Sequence, residues 1–312
     1  MKKKNKAIYL LFLMPFVYFA TACFVVWLVK TSGIYPSGSD TMYHVYRGDY
    51  VYNAIKSGNL YPLYDPAWYN GVEILRYWSP FPAYVMAFCQ YLAGGSQFGA
   101  YLFYIGGVCF LGACVWPFIG RGFNRPYLGA FIGLLWFFMP NNLCAIFIEG
   151  NLARSLSMIF LPVFIYSVYK YLYNHKLRYI PLMVFTFLLM ELCHLGYAGM
   201  VAIAVIIYGI VYMIQKGRKK AVLDVVISMI FGFMLLGIWL VASLRGGITS
   251  LDNSENMANF FQNLWITINP FERLTRGFEY FYFGFAALVV IVFGILFGYK
   301  KSRTGFVTGF II

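Results

Sequence analysis

The chain has 312 residues, of which 61% are apolar, 21% aromatic and only 11% charged. That charge fraction is less than half the soluble average of about 25%, and long apolar runs recur throughout, which excludes an ordinary soluble domain and implies an integral membrane protein. The net charge of +13 comes from short basic clusters between apolar runs, a pattern of topology signals and lipid-headgroup contacts rather than of a nucleic-acid surface.

In chain order, Lys2, Lys3, Lys4 and Lys6 precede an apolar run over about 7–29, which reads as an uncleaved signal anchor because the run continues past Cys23. An outer loop of about 30–79 follows. It holds four of the eleven carboxylates, Asp40, Asp49, Asp65 and Glu73, and one of the three histidines, His44. Ser39 or Asp40 can cap a helix running to about Ser57, closed by Gly58-Asn59, and in it Asp40, His44 and Arg47 share a face. The aromatic, turn-rich remainder, LYPLYDPAWYNG, reads as an ordered cap over a groove.

Apolar runs then recur over about 98–118, 127–144, 152–173, 179–193, 196–214, 222–243 and 281–299, which with the first gives about eight transmembrane helices. The run at 80–94 opens with Pro80 and Pro82 and ends in Gly94-Gly95. If it does not cross, the inner side carries 16 of the 24 basic residues with a single acid, Asp224. If it crosses, the clusters KGRKK and KKSR face outward, against the positive-inside rule. The 80–94 run is therefore placed as a helix in the outer interface. The expected fold is all-α: one polytopic transmembrane domain over 1–312, with outer-face juxtamembrane helices and a second outer loop of about 244–280. The N-terminus is expected in the cytoplasm and the polar loops outside. Gly305 to Ile312 open a further apolar run without a stop signal, so the chain is expected to be C-terminally incomplete.

This topology gathers several polar features on the outer face. Asp40, beside the first span, has the position of a general base or a divalent-cation ligand, or of a helix cap. His44, one turn on, suits orienting Asp40, sharing a metal or moving a proton. Glu149 stands at the end of an apolar run, where a carboxylate is costly unless paired or facing a polar cavity, and Arg154 is either its partner or a phosphate ligand. His194 follows Glu191 between two apolar runs. Arg245, Arg273 and Arg276 in the last loop suit an anionic headgroup. The six cysteines form no CxxC or Cys/His spacing, and no catalytic signature such as HExxH or GxSxG is present.

The loop SGSDTMYHVYRGDYVYNAIKSGNLYP with WYNG and RYWSPFPAY, followed by FFMPNNLCAIFIEGNLARSLSMIFLPVFIY and ELCHLGYAGM, resembles the membrane-embedded C-type glycosyltransferase superfamily. The likeness covers about residues 1–215 and is closer to a bacterial branch labelled "6-pyruvoyl-tetrahydropterin synthase-related membrane domain". It does not imply pterin chemistry, since the chain has no His-x-His zinc pattern. The resemblance implies a GT-C-like fold in the bacterial cytoplasmic membrane. It also implies transfer of a sugar from a polyprenyl-phosphate donor to a glycan, lipid or protein acceptor on the outer face. It casts Asp40, aided by His44 and Glu149, as the catalytic group. Arg154, His194, Arg245, Arg273 and Arg276 become the substrate and phosphate ligands. Asp40 and Glu149 become candidate ligands of a divalent cation, Mg or Mn. The acidic pair common in that superfamily is missing, since no second acid follows Asp40 until Asp49. Two other readings stand beside this one: a non-catalytic carrier or flippase of lipid-linked saccharides, and a membrane anchoring module.

Overall fold

The computed structural model describes residues 2–36, 38–68 and 71–244, the side chains of residues 2–11 and of Pro140 excepted. The expected span over 281–299, the last outer loop past Leu244, and with it Arg245, Arg273 and Arg276, lie outside the described residues.

The described chain is helical. Its elements are α1 (Lys2–Ser32), α2 (Thr41–Lys56), α3 (Phe81–Leu92), α4 (Gln97–Gly122), α5 (Pro126–Trp136), α6 (Pro140–Leu143), a π-turn (Cys144–Ile148), α7 (Leu152–Asn174), α8 (Tyr179–Cys193), α9 (Leu195–Lys216), α10 (Lys219–Leu235) and α11 (Gly237–Leu244). A lone β-bridge joins Asp65 to Val72.

Four stretches, Phe12–Ser32, Gln97–Gly122, Leu152–Asn174 and Leu195–Lys216, are long and apolar enough to cross a bilayer. Two bent pairs raise the number to six: Pro126–Trp136 with Asn141–Ile148, at 41°, and Lys219–Leu235 with Gly237–Leu244, at 64°. The described residues thus carry four to six of the about eight expected spans, with the shorter apolar helix Tyr179–Cys193 beside them. The runs 127–144 and 222–243 are largely apolar but not single rods. At the first break the Asn142 amide donates to the carbonyl of Trp136 at 2.8 Å, replacing helical pairing that the break removes. Helix α8 has only 15 residues, a length of about 22 Å against a hydrocarbon core of about 30 Å.

Hydrogen bonds tie the helix ends into two groups. At one end, here the loop end, the Asp40 N–H donates to the carbonyl of Glu149 at 3.0 Å, the Ser79 hydroxyl to that of Glu191 at 3.0 Å, and the Trp239 indole to that of Leu75 at 2.7 Å. At the other, the basic end, the Lys170 ammonium donates to the carbonyl of Gly122, the Tyr171 hydroxyl to Asp224, and Arg218 meets His175. Helices α4, α7, α8 and α9 run between the two ends, so short α8 joins the same two levels as its neighbours. Both flanks of α3 stay at the loop end: Ser79 precedes it, and beyond it Phe98 packs edge-on against Tyr35.

Two apolar cores fill the bundle. One joins α1, α4, α5 and the start of α7 around Tyr18, Tyr101, Tyr104 and Trp136; the other joins α7, α8, α9 and α10 around Phe164, Met183, Met190 and Tyr212. In the first, α4 and α5 touch backbone to backbone. A Cβ on Gly120 would lie 2.7 Å from the Cα of Gly129, a separation only glycine permits. Buried tyrosines place their hydroxyls on main-chain carbonyls, Tyr18 on Ala130 at 2.8 Å and Tyr104 on Leu152 at 2.9 Å. Outward, Phe12, Phe16 and Phe19 of α1 and Ile203, Ile206, Ile210 and Ile214 of α9 are exposed, as lipid-facing stripes are.

Candidate functional site

The site begins where the chain leaves α1. Residues 38–41 lie against the turn that starts α7. The Ser39 hydroxyl and the Asp40 N–H both donate to the carbonyl of Glu149, at 3.0 Å each. Gly150 makes the approach possible. Its φ is +67°, and a Cβ there would stand 2.6 Å from the Thr41 nitrogen and 2.2 Å from the Thr41 hydroxyl. Asp40 occupies the N-cap of α2 but makes no side-chain cap hydrogen bond. Among the described residues its carboxylate has one hydrogen-bonding neighbour, the Ser39 hydroxyl at 3.2 Å, whose single proton it shares with the Glu149 carbonyl.

The other three acids of this loop are committed elsewhere. Asp49 accepts from the Gln90 amide at 2.6 Å and ties α2 to α3. Asp65 accepts the Tyr46 hydroxyl at 2.5 Å and the Ala67 N–H at 2.9 Å, which fixes the turn that follows α2. Glu73 pairs with Arg76, and Arg76 donates to the carbonyl of Ala242 at 3.0 Å. These bonds close the cap over a small core of Val51, Ile74, Leu75, Ala83 and Ala87. Tyr46 packs on Trp68, and the Tyr50 hydroxyl donates to the carbonyl of Tyr64 at 2.6 Å.

Beneath the cap is a cavity of about 720 Å³. Asp40, Tyr43, His44 and Arg47 line it from α2. Trp68 and Trp78 come from the cap, Asn151 and Ala153 from the start of α7, His194 and Gly196 from the start of α9, and Trp239 and Ser243 from α11. Tyr43 meets Trp68 and Trp78 edge-on at 5.0 Å each, and the Arg47 guanidinium stacks over Tyr43 and Trp78 at 5.3 and 5.7 Å. Asp40 is the one carboxylate among these lining residues. Helix α11 closes the cavity because the bend after α10 turns it back: Trp239 donates to Leu75, and the Ser243 hydroxyl donates to the carbonyl of Arg76.

Both cavity histidines are held neutral. Burial, with Arg47 and His194 nearby, pushes His44 down to about 3. His194 is lowered by burial and then by Arg154, against a backbone hydrogen bond and the charges of Asp40 and Glu149. The His194 Nδ1 accepts the Tyr197 N–H at 3.0 Å and so caps α9, and its Nε2 lies 3.3 Å from the Asn151 amide nitrogen. Asn151 in turn caps α7 by accepting the Arg154 N–H at 2.9 Å. Tyr43 is raised, by burial first and then by Asp40, against Arg47.

The residues singled out in the sequence separate into three groups. Asp40, His44 and His194 meet at the cavity, although no hydrogen bond joins the His44 ring to the Asp40 carboxylate among the described residues. Glu149 and Arg154 pair with each other at 2.8 Å, and neither lines the cavity. Arg245, Arg273 and Arg276 fall outside the described residues. Among those residues no group of three His, Cys, Asp or Glu side chains is placed to hold a metal, and Glu149 carries no position shared with Asp40 at the cavity. Sequence reasoning passed over Arg47 as a ligand. Its signal was present, since it lies one turn beyond His44 on the face that carries Asp40. Trp239 and Ser243 gave no such signal.

A relative in Lactococcus lactis subsp. cremoris (strain MG1363), itself an uncharacterised protein, is 20% identical over 298 residues, covering 87% of this chain and 47% of its own. The chain thus spans about half the length of that relative. No solved structure matches. A family model described as "6-pyruvoyl-tetrahydropterin synthase related domain; membrane protein" matches residues 75–312, which takes in α3 to α11 and begins after the α2 wall of the cavity. With most of its length inside that match, the chain belongs to the 6-pyruvoyl-tetrahydropterin synthase related family of membrane proteins.

Proposed function

We propose that the cavity is the active site of a membrane glycosyltransferase that moves a sugar from a polyprenyl-phosphate donor to an acceptor hydroxyl on the outer face of the bacterial cytoplasmic membrane. One observation carries the reading. Of the four acids in the cap, three are bound to Gln90, Tyr46 and Arg76, while Asp40 alone faces a cavity walled by aromatic rings. A carboxylate spared from structural work in a sheltered cavity is placed as a general base should be. Indole and phenol rings offer apolar faces to the C–H face of a pyranose and polar edges to its hydroxyls.

In this mechanism Asp40 takes the proton of the acceptor hydroxyl as that oxygen bonds to the anomeric carbon. The bond from that carbon to the donor's phosphate oxygen breaks, and the lipid phosphate leaves with the electron pair. His44, neutral at working pH, serves as a hydrogen-bonding group and not as a charged acid. Glu149 and Arg154 act one step back: their ion pair holds the turn whose Glu149 carbonyl fixes Ser39 and Asp40. With α8 counted as a crossing, the loop end faces outward and the basic end faces the cytoplasm, in accord with the positive-inside rule.

The test is transfer of labelled sugar from a polyprenyl-phosphate sugar in membrane vesicles. Asp40→Asn should abolish transfer and leave insertion intact. Transfer at the wild-type rate by that variant removes Asp40 from the mechanism, and a scaffold or carrier would tolerate the change.

A further inference from the structure

Among the described residues the cavity's buried cation, Arg47, has no anionic partner. Arg47 is 1% exposed, and among the described residues it has no carboxylate within salt-bridge distance. One terminal nitrogen donates to the carbonyls of Trp78 and Ser79, at 3.2 and 3.4 Å, and Nε has no partner. A buried guanidinium stays protonated at neutral pH, and leaving its donors unmatched is costly. The Tyr43 hydroxyl, on the same wall, is also buried without a partner among the described residues.

Three long helices begin at this cavity. The starts of α2 and α7 abut through Asp40 and Glu149, and those of α7 and α9 through Asn151 and His194. At the start of α9 the N–H groups of Leu195 and Gly196 have no main-chain acceptor among the described residues, and both residues line the cavity. Each helix N-terminus is equivalent to roughly half a positive charge. Together with Arg47 they outweigh the single negative charge of Asp40, so the cavity is a place for an anion.

We infer that this cavity contains a receptor for a phosphate ester, gripped by Arg47 and Tyr43 on one side and by the Leu195 and Gly196 N–H groups on the other. The geometry suits phosphate: its several oxygens accept from a guanidinium fork and from main-chain N–H groups at once. The receptor stands on its own geometry and does not require that a sugar be transferred. The phosphate belongs either to a lipid headgroup or to a free anion.

The experiment uses the full chain in detergent, titrated with inorganic phosphate in one arm and with a polyprenyl phosphate in mixed micelles in the other. Tryptophan fluorescence reports occupancy, since Trp68, Trp78 and Trp239 line the cavity. Arg47→Gln should weaken saturation roughly ten- to hundred-fold, the worth of a charge-assisted hydrogen bond. Arg47→Lys should restore part of it. Leu195→Pro removes one N–H at the first position of α9, where proline is tolerated after the extended His194. It should cost about two- to ten-fold with the unfolding temperature unchanged. Saturation by the lipid phosphate, with inorganic phosphate competing, supports a headgroup receptor. Saturation by inorganic phosphate alone supports a free-anion receptor and counts against the lipid donor proposed above. No saturation with either probe, or wild-type saturation in Leu195→Pro together with any folded Arg47→Gln, overturns the receptor. Phosphate binding without sugar transfer overturns the transferase alone.

Discussion

The two ends of the bundle handle charge in opposite ways. At the basic end, Arg121, Arg125, Lys176, Arg178, Lys216 and Lys219 are all exposed, and the partners there are local: Lys170 on the Gly122 carbonyl, Arg218 on His175, Arg178 on the Tyr179 hydroxyl. At the loop end, charge is drawn inward. Arg47 is fully buried, His44 and His194 are kept neutral, and Asp40 faces a cavity instead of capping its helix. Exposed cations at a membrane surface cost little and orient the chain. Buried ones cost several kcal/mol unless something is gained. The difference supports the proposed function at the loop end better than polarity alone does, because polarity is found at both.

The comparison breaks most visibly at the carboxylates. Asp40→Asn should lower sugar transfer at least about a hundred-fold, the usual worth of a general base. Asp224→Asn, which removes the acid that holds Tyr171 at the basic end, should leave the rate within about two-fold. Equal losses in the two variants would mean that transfer depends on bundle integrity and not on the loop-end cavity.

Arginine gives the next contrast. Arg47→Ala strips donors from the Trp78 and Ser79 carbonyls and empties a filled volume, so it should cost about 3 kcal/mol, read as a lowered unfolding temperature in detergent. Arg121→Ala should stay within about 0.5 kcal/mol. Gly150→Ala tests the joint that carries Asp40. A Cβ at φ +67° would collide with Thr41, and the variant should lose about 2 kcal/mol and, with Asp40 displaced, most of its transfer.

Much of this was legible in the sequence, for reasons that can be named. Apolar runs gave the helices, because lipid leaves the backbone no other way to pair. The i, i+4 spacing of Asp40 and His44 put them on one face, and the topology count put His194 at the same level. What was hidden depends on contacts far apart in the chain. Nothing near Asp65 announces that Tyr46, 19 residues earlier, will occupy it. The bend that carries Trp239 back to Leu75 falls inside the largely apolar 222–243 run, where Gly237 is its one local mark. Glu149 and Arg154 show the opposite case. Their spacing already offered an ion pair, and the structure forms it, so the costly carboxylate is balanced by its neighbour and not by a substrate.

The smallest effect sharpens the contrast by pH. An unfolded histidine takes up its proton near pH 6.5, whereas His44 in the folded protein holds out to about 3. Between those values the unfolded chain binds more protons, so stability falls as pH falls from about 6.5 and levels off below about 3. By pH 5 the loss from His44 should be about 2 kcal/mol. The groups that face it, Arg47 and His194, act in the same direction: Arg47 repels the added charge, and His194 carries its own lowered pKa. His44→Gln should therefore flatten the fall in unfolding temperature between pH 6.5 and 5 without removing it, the remainder belonging to His194. His175→Gln, an exposed histidine at the basic end, is the matched control. If His44→Gln and the wild type lose stability in parallel, His44 is not shielded from protons, and the cavity is wetter than its walls imply.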